Sequence, residues 1–84
     1  MYLHLGNDIM VRMKEIVAIF DIENASVEKH TKNYLKTAQQ RGRIINVSYE
    51  LPKSFIVCSD GKEEKVYISQ ISPATLKKRK IFRG

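Results

Sequence analysis

Five basic side chains lie close together near the C-terminus of this 84-residue chain, in the segment "TLKKRKIFRG". No acidic residue interrupts them, and ammonium and guanidinium groups are the types that contact phosphate oxygens in nucleic acids. The whole chain has 15 Lys and Arg against 9 Asp and Glu, which gives a formal net charge of +6. Such an excess in a small protein favours a polyanionic partner, with nucleic acid first and an anionic membrane surface second. The five residues are Lys77, Lys78, Arg79, Lys80 and Arg83.

Basic side chains elsewhere are placed to extend this cationic surface. Arg12 and Lys14 share one face of a predicted strand, and Lys53 begins another strand. Each of them has an alternative interpretation as a solvated surface charge without a partner. As a group they predict contacts to the phosphates of duplex DNA. The predicted nucleic-acid-binding residues are Arg12, Lys14, Lys53, Lys77, Lys78, Arg79 and Lys80.

Residue types for catalysis or metal binding are sparse. His4 and His30 have no visible partner of the triad type, and Cys58 lies inside an apolar run where burial is expected. A single cysteine forms no disulfide within the chain, and two histidines with one cysteine do not complete a zinc site. The sequence has no glycine-rich phosphate loop and no HExxH segment. It therefore predicts a protein that is not an enzyme, with no cofactor, no metal and no small-molecule substrate.

The elements that must position these residues are mainly strands. The patterns predict an α+β, mainly β single domain over residues 1–84, built as a small twisted antiparallel sheet or half-barrel of about six or seven short strands. Gly6-Asn7-Asp8 and Asp60-Gly61 are typical of hairpin turns. The strand patterns cover residues 2–5, 9–14, 16–20, 45–50, 55–58 and 66–69.

Two helices complete the predicted domain. Apolar residues at helical spacing predict a main helix over residues 27–41, with Ser26 as its N-cap and a glycine directly after its end. Its apolar stripe is narrow, so the helix is expected to lie on the surface of the sheet. Ser72 and Pro73 predict the start of a short C-terminal helix, because proline lacks only an N–H that the first helical position does not use.

Self-assembly is expected from the apolar pattern. Residues 16–20 are apolar without alternation, which is typical of a strand covered on both faces. With one main helix available, one of the covers is expected from a neighbouring subunit. A small domain has a thin core, and oligomerisation is the remaining compensation when disulfides and metals are excluded. Two assignments, core and subunit interface, stay open for Leu3, Leu5, Ile9 and Val11.

The sequence also carries an expectation about location. No apolar run approaches the ~20 residues that a membrane span needs. The N-terminal segment has neither the basic start nor the small-residue cleavage site of a signal peptide. We expect a cytoplasmic, nucleoid-associated protein without a membrane partner.

Four segments follow one another along the chain: "MYLHLGND" at the start, "IVAIFD" at residues 16–21, "PKSFIV" at 52–57 and "ISPATLKKR" at 71–79. In order and spacing they resemble the bacterial RemA/RemB family of extracellular matrix (biofilm) regulators. The opening and the PKS and TLKKR elements are closer to the RemB branch. The similarity covers nearly the whole chain apart from the main helix.

The resemblance implies a β-rich domain with one main helix, similar in chain organisation to LytTR-type domains. It also implies that this domain forms ring-shaped homo-oligomers. It also implies a role in controlling biofilm-matrix genes, with DNA binding in the RemA-like members. The arginines that meet DNA in those members are matched here by Leu51, Pro52 and Glu15, with Lys53 and Lys14 as basic neighbours.

Charge, pattern and resemblance together predict an oligomeric DNA-binding transcriptional regulator of matrix genes. Basic side chains repeated around a ring would bind duplex DNA, with specificity taken mostly from DNA shape. One alternative is an oligomeric protein-interaction regulator that does not bind DNA directly and has a DNA-binding paralogue as its partner. Another is an RNA-binding sheet on which tyrosines stack with bases.

Overall fold

The computed structural model describes residues 1–22 and 29–83, with side chains described as far as residue 79. Within those ranges the chain forms six strands, two α-helices and a short 3₁₀ helix, which confirms the predicted α+β class. The strands are β1 (Tyr2–Gly6), β2 (Ile9–Arg12), β3 (Ile16–Asp21), β4 (Ile44–Asn46), β5 (Ser54–Ser59) and β6 (Glu64–Ser69); the helices are α1 (Lys29–Gln40) and α2 (Pro73–Arg83), and the 3₁₀ helix is Met13–Glu15.

Strands β1 and β2 form the predicted hairpin as a separate two-stranded sheet. Gly6, Asn7 and Asp8 all have positive φ, at 118°, 46° and 63°, which matches the turn chemistry of these residue types. Space is also tight at Gly6, because a Cβ there would lie 3.2 Å from the Gln70 side chain. The second strand is shorter than predicted, since Lys14 lies in the 3₁₀ helix.

The other four strands form an open sheet in the order β3-β5-β6-β4. Strand β5 pairs antiparallel with both β3 and β6, as predicted, whereas β4 pairs parallel to β6. The antiparallel prediction is therefore wrong at this one edge. The reason is the connection through α1, because a helical crossover starts the next strand at the end of the sheet where the previous strand began.

Two apolar clusters lie on the two faces of this sheet. Successive residues of a strand point to opposite faces, and β5 supplies Ile56 to one cluster and Phe55 and Val57 to the other. Hairpin residues and Leu76 of α2 pack with Ile56, whereas Ala38 of α1 packs with Phe55 and Val57. The two helices consequently cover opposite faces of one sheet.

The sequence left open whether four hairpin residues belong to the core or to a subunit interface. Their burial assigns three of them to the core. Leu3, Leu5 and Val11 are buried within the chain, and Ile9 is partly buried against them. The hydroxyl of Ser69 donates a hydrogen bond of 2.7 Å to the Leu5 carbonyl and ties the hairpin to the sheet. These residues therefore belong to the core of the single chain.

Helix α1 ends as its sequence predicts. Gly42 has a φ of 68°, its N–H donates to the Gln39 carbonyl, and the Arg43 N–H donates to the Ala38 carbonyl at 2.9 Å. This pair of bonds is a Schellman motif, which satisfies the last helical carbonyls. The predicted N-cap Ser26 and the first two predicted helical residues lie outside the described residues.

Helix α2 begins at Pro73, as predicted, with Ser72 as its N-cap. The Ser72 hydroxyl accepts a hydrogen bond of 3.3 Å from the Thr75 N–H. Leu76 is fully buried in the cluster that contains the hairpin. The cap hydrogen bond thus defines the start of α2, and Leu76 attaches its first turn to the domain.

A further strand prediction differs from the structure. Strand β4 stops at Asn46, because the Val47 carbonyl accepts a hydrogen bond from the Asn7 side chain and the Glu50 N–H donates to the Ser48 hydroxyl in a local turn. The cover that residues 16–20 are expected to take from a neighbouring subunit stays a prediction. Strand β3 is an edge strand on which Val17 is 64% exposed and Phe20 is 39% exposed.

Candidate nucleic-acid interface

The basic residues on α2 are presented on a helix that is firmly attached to the domain. Leu76 anchors the inner side of the helix, and the Arg79 guanidinium donates a hydrogen bond of 3.0 Å to the His4 carbonyl in β1. Lys77, Lys78 and Arg79 are all exposed, and no acidic residue lies in the sequence of the helix. At 100° per residue, Lys78 points almost directly away from the core. The Lys80 side chain lies outside the described part of the chain.

Arg12 and Lys14 lie at the end of β2 and in the 3₁₀ helix that follows it, in mixed electrostatic surroundings. The Arg12 guanidinium is 3.9 Å from the Glu15 carboxylate, and both side chains line a cavity of about 340 Å³ with Asp60 and Glu63. Hydrogen bonds from the backbone N–H groups of Glu63 and Lys62 lower the pKa of Asp60, so this carboxylate is charged at neutral pH. Nearby anions offset the positive potential of Arg12.

Lys53 lies in the loop before β5, where its backbone is held on both sides. Its N–H donates to the Ser69 carbonyl at 2.8 Å, and its carbonyl accepts from the Ile22 N–H at 3.0 Å. Its side chain is exposed. The length of β5, about 20 Å for six extended residues, separates it from the Arg12 end of the sheet. The structure thus places the predicted residues in three locations, with the largest group on α2.

A fourth basic group was missed by the sequence prediction. Lys29, Lys32 and Lys36 lie along the exposed side of α1, and no acidic residue lies in Lys29–Gln40. The signal was their spacing of three, four and seven residues, which places them on one side of a helix. Sequence reasoning used this periodicity only to find the apolar side.

An apolar groove lies between the free edge of the four-stranded sheet and α1. It has a volume of about 340 Å³, and its lining includes Val17, Phe20 and Tyr34. Phe20 stacks on Phe55 with 4.9 Å between ring centroids, and the Tyr34 hydroxyl donates a hydrogen bond to Glu64. Partial burial and this bond to Glu64 raise the pKa of Tyr34 to about 12. The groove is therefore shaped by fixed aromatic side chains.

The loop at residues 47–53 presents apolar side chains to solvent. Tyr49 is fully exposed and Leu51 is 81% exposed, followed by the exposed Pro52. Leu51 and Pro52 are the positions that the resemblance described above matches to basic residues. Lys53 is the basic side chain of this loop, and Glu50 is its acidic one.

The cysteine and histidines do not form a reactive site in the described residues. Cys58 is buried, and burial followed by repulsion from the Glu15 carboxylate raises its pKa to about 11. A thiol with a raised pKa is a weak nucleophile at neutral pH. Among the described residues, no three side chains of His, Cys, Asp or Glu are grouped to hold a metal ion. No helix within the described ranges is long and apolar enough to cross a membrane.

Alkaline pH is expected to destabilise the fold through Cys58. The thiol has a reference pKa of 9.0 and a pKa of about 11 in the folded chain. Between these values the unfolded state binds fewer protons, so stability falls as pH rises, by roughly 1 to 3 kcal/mol in total. Urea unfolding at pH 8 and pH 11 measures the loss. Cys58→Ala should show a smaller loss than the native chain, and equal losses would contradict the assignment to this thiol.

Comparison with known proteins agrees with the collinear segments. Residues 2–79 match the sequence profile of the RemA-like family, described as extracellular matrix regulatory protein A-like. The chain belongs to the RemA-like family. It is also 35% identical over 82 residues to the extracellular matrix regulatory protein B of Bacillus subtilis (strain 168), across 98% of this chain and 93% of that protein. The RemA/RemB resemblance is thereby confirmed.

Family membership relates the basic and apolar surfaces to a regulatory role. The RemA-like profile spans the hairpin, both sheets and α1, and it includes α2 as far as Arg79. The exposed cations of α2 therefore lie inside the shared domain of the family. The family is described as one of regulatory proteins. We therefore expect this chain to act through the surfaces of its domain.

Proposed function

We propose that this protein is an oligomeric regulator of extracellular matrix genes that binds duplex DNA through the exposed cations of α2. The observation that carries the proposal is the basic surface of Lys77, Lys78 and Arg79, on a helix whose own sequence has no acidic residue and which is fixed by a buried leucine and a hydrogen bond to a backbone carbonyl. Rigid attachment favours binding, because less conformational freedom is lost when the side chains meet phosphates. The names of the family and of the Bacillus relative support the regulatory role.

Self-assembly is the second part of the proposal. Among the described residues, β3 is the outermost strand of its sheet, with an exposed Val17 and an adjoining apolar groove. Natural proteins rarely leave such an edge uncovered, because unpaired strand groups and apolar side chains promote association. We infer that a second copy of the chain covers this edge and that repetition of the contact closes a ring.

Self-assembly allows a small basic surface on each subunit to be sufficient for binding duplex DNA. A single subunit that neutralises about two phosphates would bind weakly and lose affinity at moderate salt. Joined subunits convert later contacts into intramolecular ones and raise avidity by ~10²–10⁴. In this proposal the protein acts on DNA in the cytoplasm, at the nucleoid, and it performs no catalysis.

A salt series tests the DNA contact. The native protein should lose affinity for duplex DNA steeply as salt rises, whereas Lys77→Ala/Lys78→Ala should bind more weakly, with a log–log salt slope lower by about 0.9 for each phosphate contact removed per bound subunit. Affinity measured by gel shift or fluorescence anisotropy across several salt concentrations gives the slope.

Lys62→Ala/Lys65→Ala is the matched control for the salt series. It removes the same charge from the β5–β6 hairpin, where Asp60, Glu63 and Glu64 surround the lysines. A control slope that equals the native slope, together with a reduced α2 slope, supports the proposal. Equal slopes for all three proteins would place the phosphate contacts elsewhere, and no duplex binding at low salt would contradict the DNA function itself.

One observation favours a second candidate function. The loop with Tyr49 and Leu51 presents two large apolar side chains that are exposed to solvent in the described part of the chain. Exposed aromatic and aliphatic side chains are typical of protein-interaction sites. In this alternative the oligomer regulates matrix production through a protein partner, such as a DNA-binding paralogue, and native binding to duplex DNA would be absent in the salt series.

A further inference from the structure

Helix α1 carries a second basic ridge, on the opposite face of the sheet from α2. Alternate residues of β5 contact α1 and α2, which places the two helices on opposite faces. The described chain measures 33 × 29 × 21 Å, so each helix has its own outer surface. A straight duplex that lies on one surface does not reach the other on the same subunit.

The outer side of α1 contains only cations and amides. With 100° per residue, Lys29 and Lys36 lie about 180° and 160° around the helix from the buried Ala38, at the side farthest from the sheet. Asn33 and Gln40 lie beside them, and all four side chains are exposed. Lysine contacts phosphates, and asparagine and glutamine are the residue types that pair with adenine edges.

The dimensions of the ridge suit a duplex. From Lys29 to Gln40 it is about 16 Å long, and an α-helix fits a major groove about 12 Å wide. A membrane surface suits it less well. The apolar residues of α1, Leu35 and Ala38, pack on the sheet, so no apolar side remains to enter a lipid headgroup layer.

We infer that the ridge of Lys29, Lys32 and Lys36 on α1 is a second duplex-binding surface, so that one assembly bridges two DNA segments. The inference rests on the proposed function, in which α2 binds the first duplex. Bridging would bring separated DNA sites together without any further protein. The amide side chains add to this surface the residue types that pair with adenine edges.

A two-step capture experiment tests bridging. A duplex is fixed to beads, the protein is bound and unbound protein is washed away, and a fluorescent duplex is then added. The native protein should retain the second duplex. Lys29→Gln/Lys36→Gln should bind the first duplex within a few-fold of the native affinity and capture the second one roughly ten-fold less, as expected for two lost phosphate contacts per subunit.

The controls separate this inference from the proposed function. Glutamine keeps the helix propensity and length of the side chain, and circular dichroism verifies folding. Lys62→Ala/Lys65→Ala should capture the second duplex as the native protein does. Capture by the α1 variant at the native level, or no capture by native protein that has bound the first duplex, would overturn the bridging inference and leave the α2 contact standing.

Two other outcomes are also decisive. No binding of the first duplex by the native protein would defeat the proposed function, and the inference with it, at the first step. Native capture by the α1 variant combined with a loss of binding to vesicles of acidic phospholipid would overturn bridging and assign the ridge to a membrane surface.

Discussion

Leu76→Ala is expected to lower the free energy of unfolding by about 2 to 5 kcal/mol. Leu76 is fully buried between α2 and the cluster that holds Leu3, Leu5 and Ile56. Its truncation removes apolar contacts and leaves a cavity at the junction of the helix with the domain. A domain of this size is stable by about 4 to 12 kcal/mol, so this one change removes a large share. Urea unfolding followed by circular dichroism measures it.

The exposed side of the same helix provides the control. Lys78→Ala should change stability by less than about 0.5 kcal/mol, since the side chain is exposed and alanine favours helix. Leu76→Met keeps most of the volume and should cost less than about 1.5 kcal/mol. A stability loss for Leu76→Ala no larger than that for Lys78→Ala would show that α2 is not packed as described. DNA binding should be weakened by Leu76→Ala and restored by Leu76→Met, because the proposed interface depends on the position of α2.

Val17→Glu is expected to prevent self-assembly and to reduce duplex affinity by ~10²–10⁴, the range of avidity that linked sites provide. Val17 is 64% exposed on the free edge strand β3, next to the apolar groove. A carboxylate there would be buried without a partner if a second copy covers the edge, and an unpaired buried charge is strongly unfavourable. Mass measurement in solution by light scattering or analytical ultracentrifugation gives the subunit number, and anisotropy gives the affinity.

Val17→Thr is the matched control at this position. It keeps the β-branched shape and the strand propensity and adds no charge, so it should remain assembled. If Val17→Glu keeps the native mass, the second copy does not cover β3. If it becomes a monomer with native affinity, assembly exists but avidity does not drive binding. Phe20 is unsuitable for this test, because its stacking on Phe55 contributes to the fold itself.

The distribution of charge explains why the predicted cationic residues are not equivalent. The described acidic side chains around the β5–β6 hairpin, such as Asp60 and Glu63, lie close to Arg12. In contrast, the described parts of both helices carry basic side chains and no acidic ones. Phosphate groups are therefore expected to favour the helices, and the two helices face in opposite directions. This arrangement makes a single subunit two-sided, which is the physical basis of the bridging inference.

Local patterns determined most of the elements of this protein. Gly6-Asn7-Asp8 predicts the hairpin because those residue types tolerate positive φ, and the Ser72-Pro73 pair predicts the start of α2 because capping is a local interaction. The glycine after α1 predicts its Schellman end for the same reason. The RemA/RemB resemblance was also identified from four segments, since it depends on residue order alone. The largest basic group, on α2, was visible as an uninterrupted run of cations.

Only the tertiary structure decided how these elements face one another. The parallel pairing of β4 with β6 depends on the crossover through α1, and side-chain alternation does not encode strand direction. The apolar run in β3 is typical of a doubly covered strand, and the structure places it at the edge of the sheet with Val17 exposed in the single chain, because the position of a strand in a sheet is set by its long-range partners. Likewise, the lysines of α1 and the cations of α2 lie on opposite sides of the domain because alternate residues of β5 pack against the two helices. That arrangement depends on pairing between distant segments of the chain, which no short segment specifies by itself.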